Sequence, residues 1–251
     1  MIELVSANGT SKAIVDLRGT ALREWWVNGR QVVGSPDIYS GSMLFPWPNR
    51  ILGATWNFEG QNMVLPVNEP ATNSALHGLV FDEQFSIVSS NSKTCETELK
   101  MQPTSGYPFS LNLSARFELE ENSISITYGV KNIGIKIAPF AIGFHPYFVA
   151  NETSVFSCAA RSFELAEVQI DETLGPNLHS ASLELGDISV RLESQDHEYI
   201  HVFTNRYTTS EHIWFAMEPQ SSPVDSLNTG NGIYLLNPGE SKYFSYRLVV
   251  S

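Results

Sequence analysis

FSLNLSARFEL (residues 109–119), then EENS (120–123), then ISITYGVKN (124–132), is the stretch whose reading decides the fold class. Phe109, Leu111, Leu113, Ala115, Phe117 and Leu119 fall on one side of a period of two, and Ser110, Asn112, Ser114, Arg116 and Glu118 on the other. Successive strand side chains point to opposite faces, so this alternation predicts a strand with one buried face. Ile124, Ile126, Tyr128 and Val130 continue the period after the polar EENS turn. Two such runs joined by a short polar segment predict an antiparallel hairpin.

The same grammar recurs along the chain. KAIVDLRGTALREWWVNG (12–29) holds two short apolar runs broken at Gly19 and at Asn28-Gly29. ATWNFEGQNMVL (54–65) reads as a hairpin about Glu59-Gly60. GIYLL (232–236), NPGES (237–241) and KYFSYRLVV (242–250) repeat the strand–turn–strand theme at the end. No segment sustains a helical period with caps, so helices are expected to be few and short. No linker divides the chain. The expectation is an all-β chain, one domain over residues 1–251, built as a large antiparallel β-sandwich.

Composition excludes several function classes. The formal net charge of −12 argues against nucleic-acid and anionic-membrane partners. Cys95 and Cys158 form no CxxC or Cys/His cluster, so no zinc site is expected and two free thiols are. No GxGxxG or P-loop pattern implies a nucleotide, and no GxSxG implies a serine nucleophile. The start, MIELVSANGT, lacks a basic segment followed by an apolar run, and no apolar stretch approaches a membrane span. A cytoplasmic location is the default expectation. The oligomeric state is not legible.

Chemistry-bearing residues sit beside chain-turning Pro or Gly, where a strand leaves a sheet and its last side chain can face a cleft. LFPWPNRI (44–51) carries Trp47, Asn49 and Arg50. SALHGLV (74–80) carries His77, IGFHPYF (142–148) carries His145 and Tyr147, and WFAMEPQ (214–220) carries Glu218. Each has a bland reading: a hydrogen-bonded structural histidine, a surface arginine, a solvated carboxylate. Two histidines with Glu218 could also ligate a metal, although no HxH or HxxxH pair is present. His179, His197, His201 and His212 lie in polar surroundings and are expected to be solvated.

In order along the chain, PWPNRI, LHGLV, GYPFSLNLSARFEL, VKNIG, GFHPYF, MEPQSSPVDSLN and LLNPGES resemble the aldose 1-epimerases, or galactose mutarotase-like proteins. The HPYF form resembles their shorter bacterial and fungal branch. The resemblance implies a β-supersandwich with an open sugar cleft and no metal or cofactor. It implies a catalytic acid at His145 and a catalytic base at Glu218 rather than Glu240, with Arg50 and His77 binding the sugar. Asn49 belongs to the same sugar-binding motif. The family's sugar-gripping aspartate is missing from NLHSASLEL (177–185), so His179 or Asp171 of QIDETLGP (169–176) would stand in its place. Trp47, Phe81, Tyr147 and Phe148 are candidates to stack on a pyranose face, with core packing as the alternative, above all for Phe81 and Phe148.

The implied reaction opens a hemiacetal and closes it on the other face. It needs one group to protonate the ring oxygen and another to deprotonate the anomeric hydroxyl, expected on opposite sides of the sugar. An imidazolium and a carboxylate suit neutral pH. Two other readings are a hexose-6-phosphate 1-epimerase and a sugar-binding protein without turnover. The first needs extra cations in the cleft, and Arg50 has no basic neighbour in its own motif.

Overall fold

The computed structural model describes residues 1–159, 161–167, 169–205 and 212–251. Among them the strands form a ten-stranded sheet, a nine-stranded sheet and three two-stranded ladders, with antiparallel pairing throughout. The predicted hairpin lies inside the nine-stranded sheet, as the third and fourth strands from one edge. Strands Leu111–Leu119 and Ser123–Asn132 pair from Leu119 opposite Ile124 to Leu111 opposite Asn132. The apolar series from Leu111 to Leu119 is buried, as are Ile124, Ile126, Tyr128 and Val130. Phe109 is buried too, but precedes the strand.

Turn chemistry works where it was expected. Asn28 and Gly29, and likewise Glu59 and Gly60, all have positive φ, the backbone that a tight two-residue hairpin requires. The C-terminal pair departs from the pattern. Tyr234–Leu236 pairs with Ala138–Phe140, whereas Ser241–Val250 joins the nine-stranded sheet between Ser123–Asn132 and Ile188–Glu193. The NPGES turn therefore hands the chain from one sheet to another. A local pattern specifies a strand but not its partner. The α-helix of the described residues is a single turn, Ser226–Thr229.

One apolar core joins the two large sheets. Tyr128 of the nine-stranded sheet stacks on Phe144 of the other, with centroids 3.5 Å apart and planes at 14°. Phe156 and Phe215 make a second bridge at 5.6 Å. Strand Ile213–Gln220 shows how the core positions a site. Ile213, Phe215 and Met217 face the core, so Trp214, Ala216, Glu218 and Gln220 face the other way. Its neighbours Tyr147–Ala150 and Tyr199–Asn205 keep register with it, Tyr147 opposite Ala216 and His201 opposite Glu218.

Two of the histidines expected in solvent are buried, His197 and His201. His197 Nδ1 lies 2.7 Å from Ser194 Oγ, which itself donates to the Ser245 carbonyl at 2.6 Å. The Ser194 hydroxyl thus accepts from Nδ1–H, and the ring packs between Phe144 and Phe244. Its Nε2 is buried without a partner among the described residues. The sequence shows polar neighbours; the chain reversal that tucks the ring between two phenylalanines is a tertiary event.

Phe144→Ala removes the ring that joins the sheets and should cost about 3–5 kcal/mol, read from urea denaturation. Burial pushes the His197 imidazole down to about 4, so the unfolded chain takes up the proton first as pH falls. Its stabilising contribution is complete above about pH 6.5 and is lost on the way down to about pH 4. The melting temperature should fall across that window, and less steeply in His197→Gln.

Candidate active site

The candidate site grows from the meeting of two short strands. Arg50–Leu52 pairs with Ser74–Leu76, Arg50 opposite Leu76. Asn49 and His77 flank this ladder with positive φ. The His77 N–H donates to the Asn49 carbonyl at 2.8 Å, and the Asn49 N–H donates to His77 Nδ1 at 3.3 Å. The ring proton of His77 therefore sits on Nε2. Burial, with His145 close by, holds His77 well below the usual histidine range, so it is neutral. Gly78 has φ +77°, and a Cβ there would lie 2.1 Å from the Phe45 carbonyl oxygen, so only glycine lets the two motifs close.

His145 enters from the end of Gly143–Phe144, its backbone fixed by Gly41 N–H donating to its carbonyl at 2.7 Å. The ten-stranded sheet supplies the rest by register. Glu218, His201 and Thr173 are lateral neighbours in one row; Tyr147, Ala216, Phe203 and Asp171 form the next. Ala216, the smallest of these, lies under the middle of the row. The cleft so formed has a volume of about 190 Å³ and is lined by residues of both halves, among them Arg50, His77, His145, Tyr147, Asp171, His201 and Glu218. That is below the roughly 300–1,000 Å³ of drug-sized pockets and suits one small ring.

His145 Nε2 lies 3.3 Å from Glu218 Oε1, both side chains almost wholly buried. The contact is close but not aligned as a hydrogen bond, and Glu218 Oε1 has no hydrogen-bond partner among the described residues. Glu218 Oε2 accepts from Gln220 Nε2 at 2.9 Å. Burial pushes the Glu218 carboxyl well above its ordinary range and the His145 imidazole down to about 4. Both shifts disfavour the charged forms and so favour a neutral pair, with its transferable proton on Glu218. The expected imidazolium and carboxylate carry the same number of protons but place that proton on His145. The two groups lie side by side, where groups on opposite sides of a ligand were expected.

A second network fills the opposite wall. Arg50 Nε and Nη2 donate to the two oxygens of Glu69 at 2.6 and 2.8 Å. Nη2 also reaches Asp171 Oδ2 at 3.4 Å, and Nη1 donates to Asn49 Oδ1 at 3.1 Å. His201 Nε2 lies 3.1 Å from Asp171 Oδ1. His201 Nδ1 lies 3.2 Å from Asn49 Nδ2 and 2.9 Å from Thr173 Oγ1. Asn49 Nδ2 is only a donor, so Nδ1 accepts and Nε2–H donates to Asp171. His201 first, and Arg50 after it, hold Asp171 below the usual carboxylate range. Across the cleft, the Tyr147 hydroxyl donates to Asp37 at 2.8 Å.

The cleft therefore gathers Arg50, Asn49, His77, His145, Tyr147 and Glu218, as the sequence motifs suggested. Trp47 does not join them. It is fully buried in the core, and its indole N–H donates to the Ala75 carbonyl at 3.1 Å, which fixes the ring inside. Phe148 is also core, and Phe81 packs on Tyr39 outside the cleft lining. Of the two stand-ins for the aspartate, Asp171 lies in the cleft. His179 lies at a separate surface depression, against the His197 carbonyl. Glu240 is exposed and caps Asn237. The sequence reading missed Asp37, Glu69, His201, Phe203 and Asn205. The alternation His201-Val-Phe203-Thr-Asn205 was a usable signal, once His201 is taken as facing a site rather than water.

Both cysteines are free, no helix of the described residues is long and apolar enough to cross a membrane, and no group of three or more His, Cys, Asp or Glu among them is arranged to hold a metal. Comparison with known proteins agrees with the fold. A galactose mutarotase-like protein from Clostridium acetobutylicum superposes with a TM-score of 0.83 at 16% identity, covering 97% of this chain and 93% of that one. One from Lactobacillus casei gives 0.81 at 16%, covering all of both chains. In sequence, the Escherichia coli K12 protein YihR, described as uncharacterized, is 29% identical over 245 residues, 82% of this chain and 77% of its own length. The family profile described as aldose 1-epimerase matches residues 2–184, which include Arg50, His77, His145 and Asp171. On that match, the chain belongs to the aldose 1-epimerase family.

Proposed function

We propose that this protein is an aldose 1-epimerase that interconverts the anomers of a free aldohexose without a cofactor, using His145 and Glu218 as its acid–base pair. The observation that carries the reading is the buried 3.3 Å contact between His145 and Glu218 at the base of a ring-sized cleft. The two oxygens to be protonated and deprotonated are attached to one anomeric carbon. Two groups in contact can therefore serve both from the same edge of the ring.

Transfer of the proton from Glu218 to His145 creates imidazolium and carboxylate at unchanged net charge. His145 then protonates the ring oxygen while Glu218 takes the anomeric proton. The ring opens to the aldehyde, C1 rotates about the C1–C2 bond, and closure on the other face runs the same transfers backwards. Gln220 fixes the carboxyl plane through Glu218 Oε2. His77 Nε2–H, Asn49, Asp171 and Tyr147 supply hydroxyl contacts that hold the ring still while C1 turns. Phe203 and Tyr147 offer apolar surface for a pyranose face.

The charge of the cleft favours the free sugar over its 6-phosphate. Among the described residues Arg50 is its one Lys or Arg, against the carboxyl groups of Asp37, Glu69, Asp171 and Glu218. A phosphate dianion would want charge-assisted donors, and four of the five N–H donors of Arg50 are engaged within the protein.

His145→Asn and Glu218→Gln should each lower kcat for α-D-glucose or α-D-galactose by about 10²-fold or more, followed by polarimetry, with folding cooperativity retained. Wild-type turnover in Glu218→Gln would sink the assignment. The pH profile of kcat/KM reads the proton count of the pair. Activity should persist down to about pH 4, where His145 takes a second proton and no base remains. It should fall on the alkaline side only above the ordinary carboxylate range, when Glu218 loses the shared proton. An acid limb near pH 6.5, the value of a solvated histidine, would contradict this.

A further inference from the structure

We propose that Glu69 is a specificity-determining residue that, by neutralising Arg50, makes the cleft discriminate against anionic sugars. The inference rests on the aldose 1-epimerase reading and extends it to the class of sugar admitted.

Arg50 is the feature of the cleft that would attract a carboxylate or phosphate. A guanidinium presents five N–H donors in a planar fork, matched to two oxygens of an anion. Glu69 occupies that fork face-on, at 2.6 and 2.8 Å. Asp171 takes a further contact at 3.4 Å and Asn49 another at 3.1 Å. At the Nε–Nη2 edge, an incoming anion would have to displace a partner of the same charge.

Glu69 is not free to move aside. Its backbone exchanges hydrogen bonds with Ser74, N–H to carbonyl in both directions at 3.2 Å. The Thr72 hydroxyl donates to the same carboxylate. Arg50, and Thr72 after it, hold Glu69 below the ordinary carboxylate range, so it stays charged wherever Arg50 needs neutralising. Its side chain and that of Arg50 are only 20% and 24% exposed, so solvent screens the pair incompletely. Asp37, on the Tyr147 side, adds a further carboxylate. With Asp171 and Glu69 both on Arg50, the described cleft offers an anion no unpaired cation.

A merely structural Glu69 would, when changed, weaken every sugar alike. A charge-setting Glu69 changes the ratio between anionic and neutral sugars, and the change depends on salt. The probes are D-glucose and D-glucuronate, which share ring and reaction and differ in charge at C6. Anomer exchange is followed by polarimetry, and binding by calorimetry on the same samples.

The wild type should favour glucose in both kcat/KM and affinity. Glu69→Gln should reduce glucose turnover through a looser Arg50, yet raise the glucuronate-to-glucose ratio by about tenfold at low salt, the effect of one charge-assisted hydrogen bond from Arg50 to the C6 carboxylate. Added salt should shrink that rise. Glu69→Asp, which keeps the charge, should keep the wild-type ratio. Asp171→Asn should move the ratio the same way by less, and serves if Glu69→Gln does not fold. An unchanged ratio in the folded variants, a wild type that already prefers glucuronate, or binding of neither sugar overturns the proposal. Absence of turnover on any sugar with the binding ratio shifted as stated would instead count against the epimerase reading and leave the charge selection standing.

Discussion

Register across strand Ile213–Gln220 is the constraint on which the rest of the molecule depends. A strand has two faces, and this one has a core residue at every second position. The residues between have nowhere to go but the other face. Tyr147, His201, Phe203 and Asp171 reach that face because each sits opposite, or one strand beyond, a position of the same parity. A slip of one residue in any of these ladders would send the site into the core and bring Phe148 or Val202 out. The apolar packing that joins the sheets, with Phe144 stacked on Tyr128, therefore also holds the site together.

Burial then sets the chemistry. His145 and Glu218 are removed from water and brought within 3.3 Å. Desolvation penalises a lone charge on either, which drives the pair to one shared proton rather than two independent ionisations. Outside a protein a histidine would titrate near pH 6.5 and a glutamate near 4.3. Here the order is inverted, His145 at about 4 and Glu218 well above its usual range. The opposite wall uses the reverse device. Arg50, Glu69, Asp171 and His201 keep full charges or fixed tautomers because each is answered by a partner. One wall is tuned by desolvation, the other by paired charges.

How much of this was legible in the chain differs by level. The 109–132 alternation and the Asn28-Gly29 and Glu59-Gly60 turns specify strands and hairpins through local geometry alone, and the structure follows them. His145, Glu218, Arg50, Asn49, His77 and Tyr147 could be singled out because each adjoins Pro, Gly or an aromatic run at a strand end. Trp47 satisfied the same description and is core, since the neighbourhood of a residue does not say which way its side chain points. His201 fails the description, Glu69 meets it only through Pro70, and both are in the cleft. Their partners lie 152 and 19 positions away, and no local pattern carries such a separation.

By itself, the sequence determined the all-β class, the alternation that separates core from cleft, and the residue types available for acid–base chemistry. These depend on side-chain period and intrinsic turn preference, which act over a few residues. Tertiary structure alone decided that NPGES joins two different sheets, that His145 touches Glu218, and that Arg50 is paired with Glu69. Those outcomes depend on long-range register and on desolvation. Both exist only once distant strands are paired and water has been removed from between them.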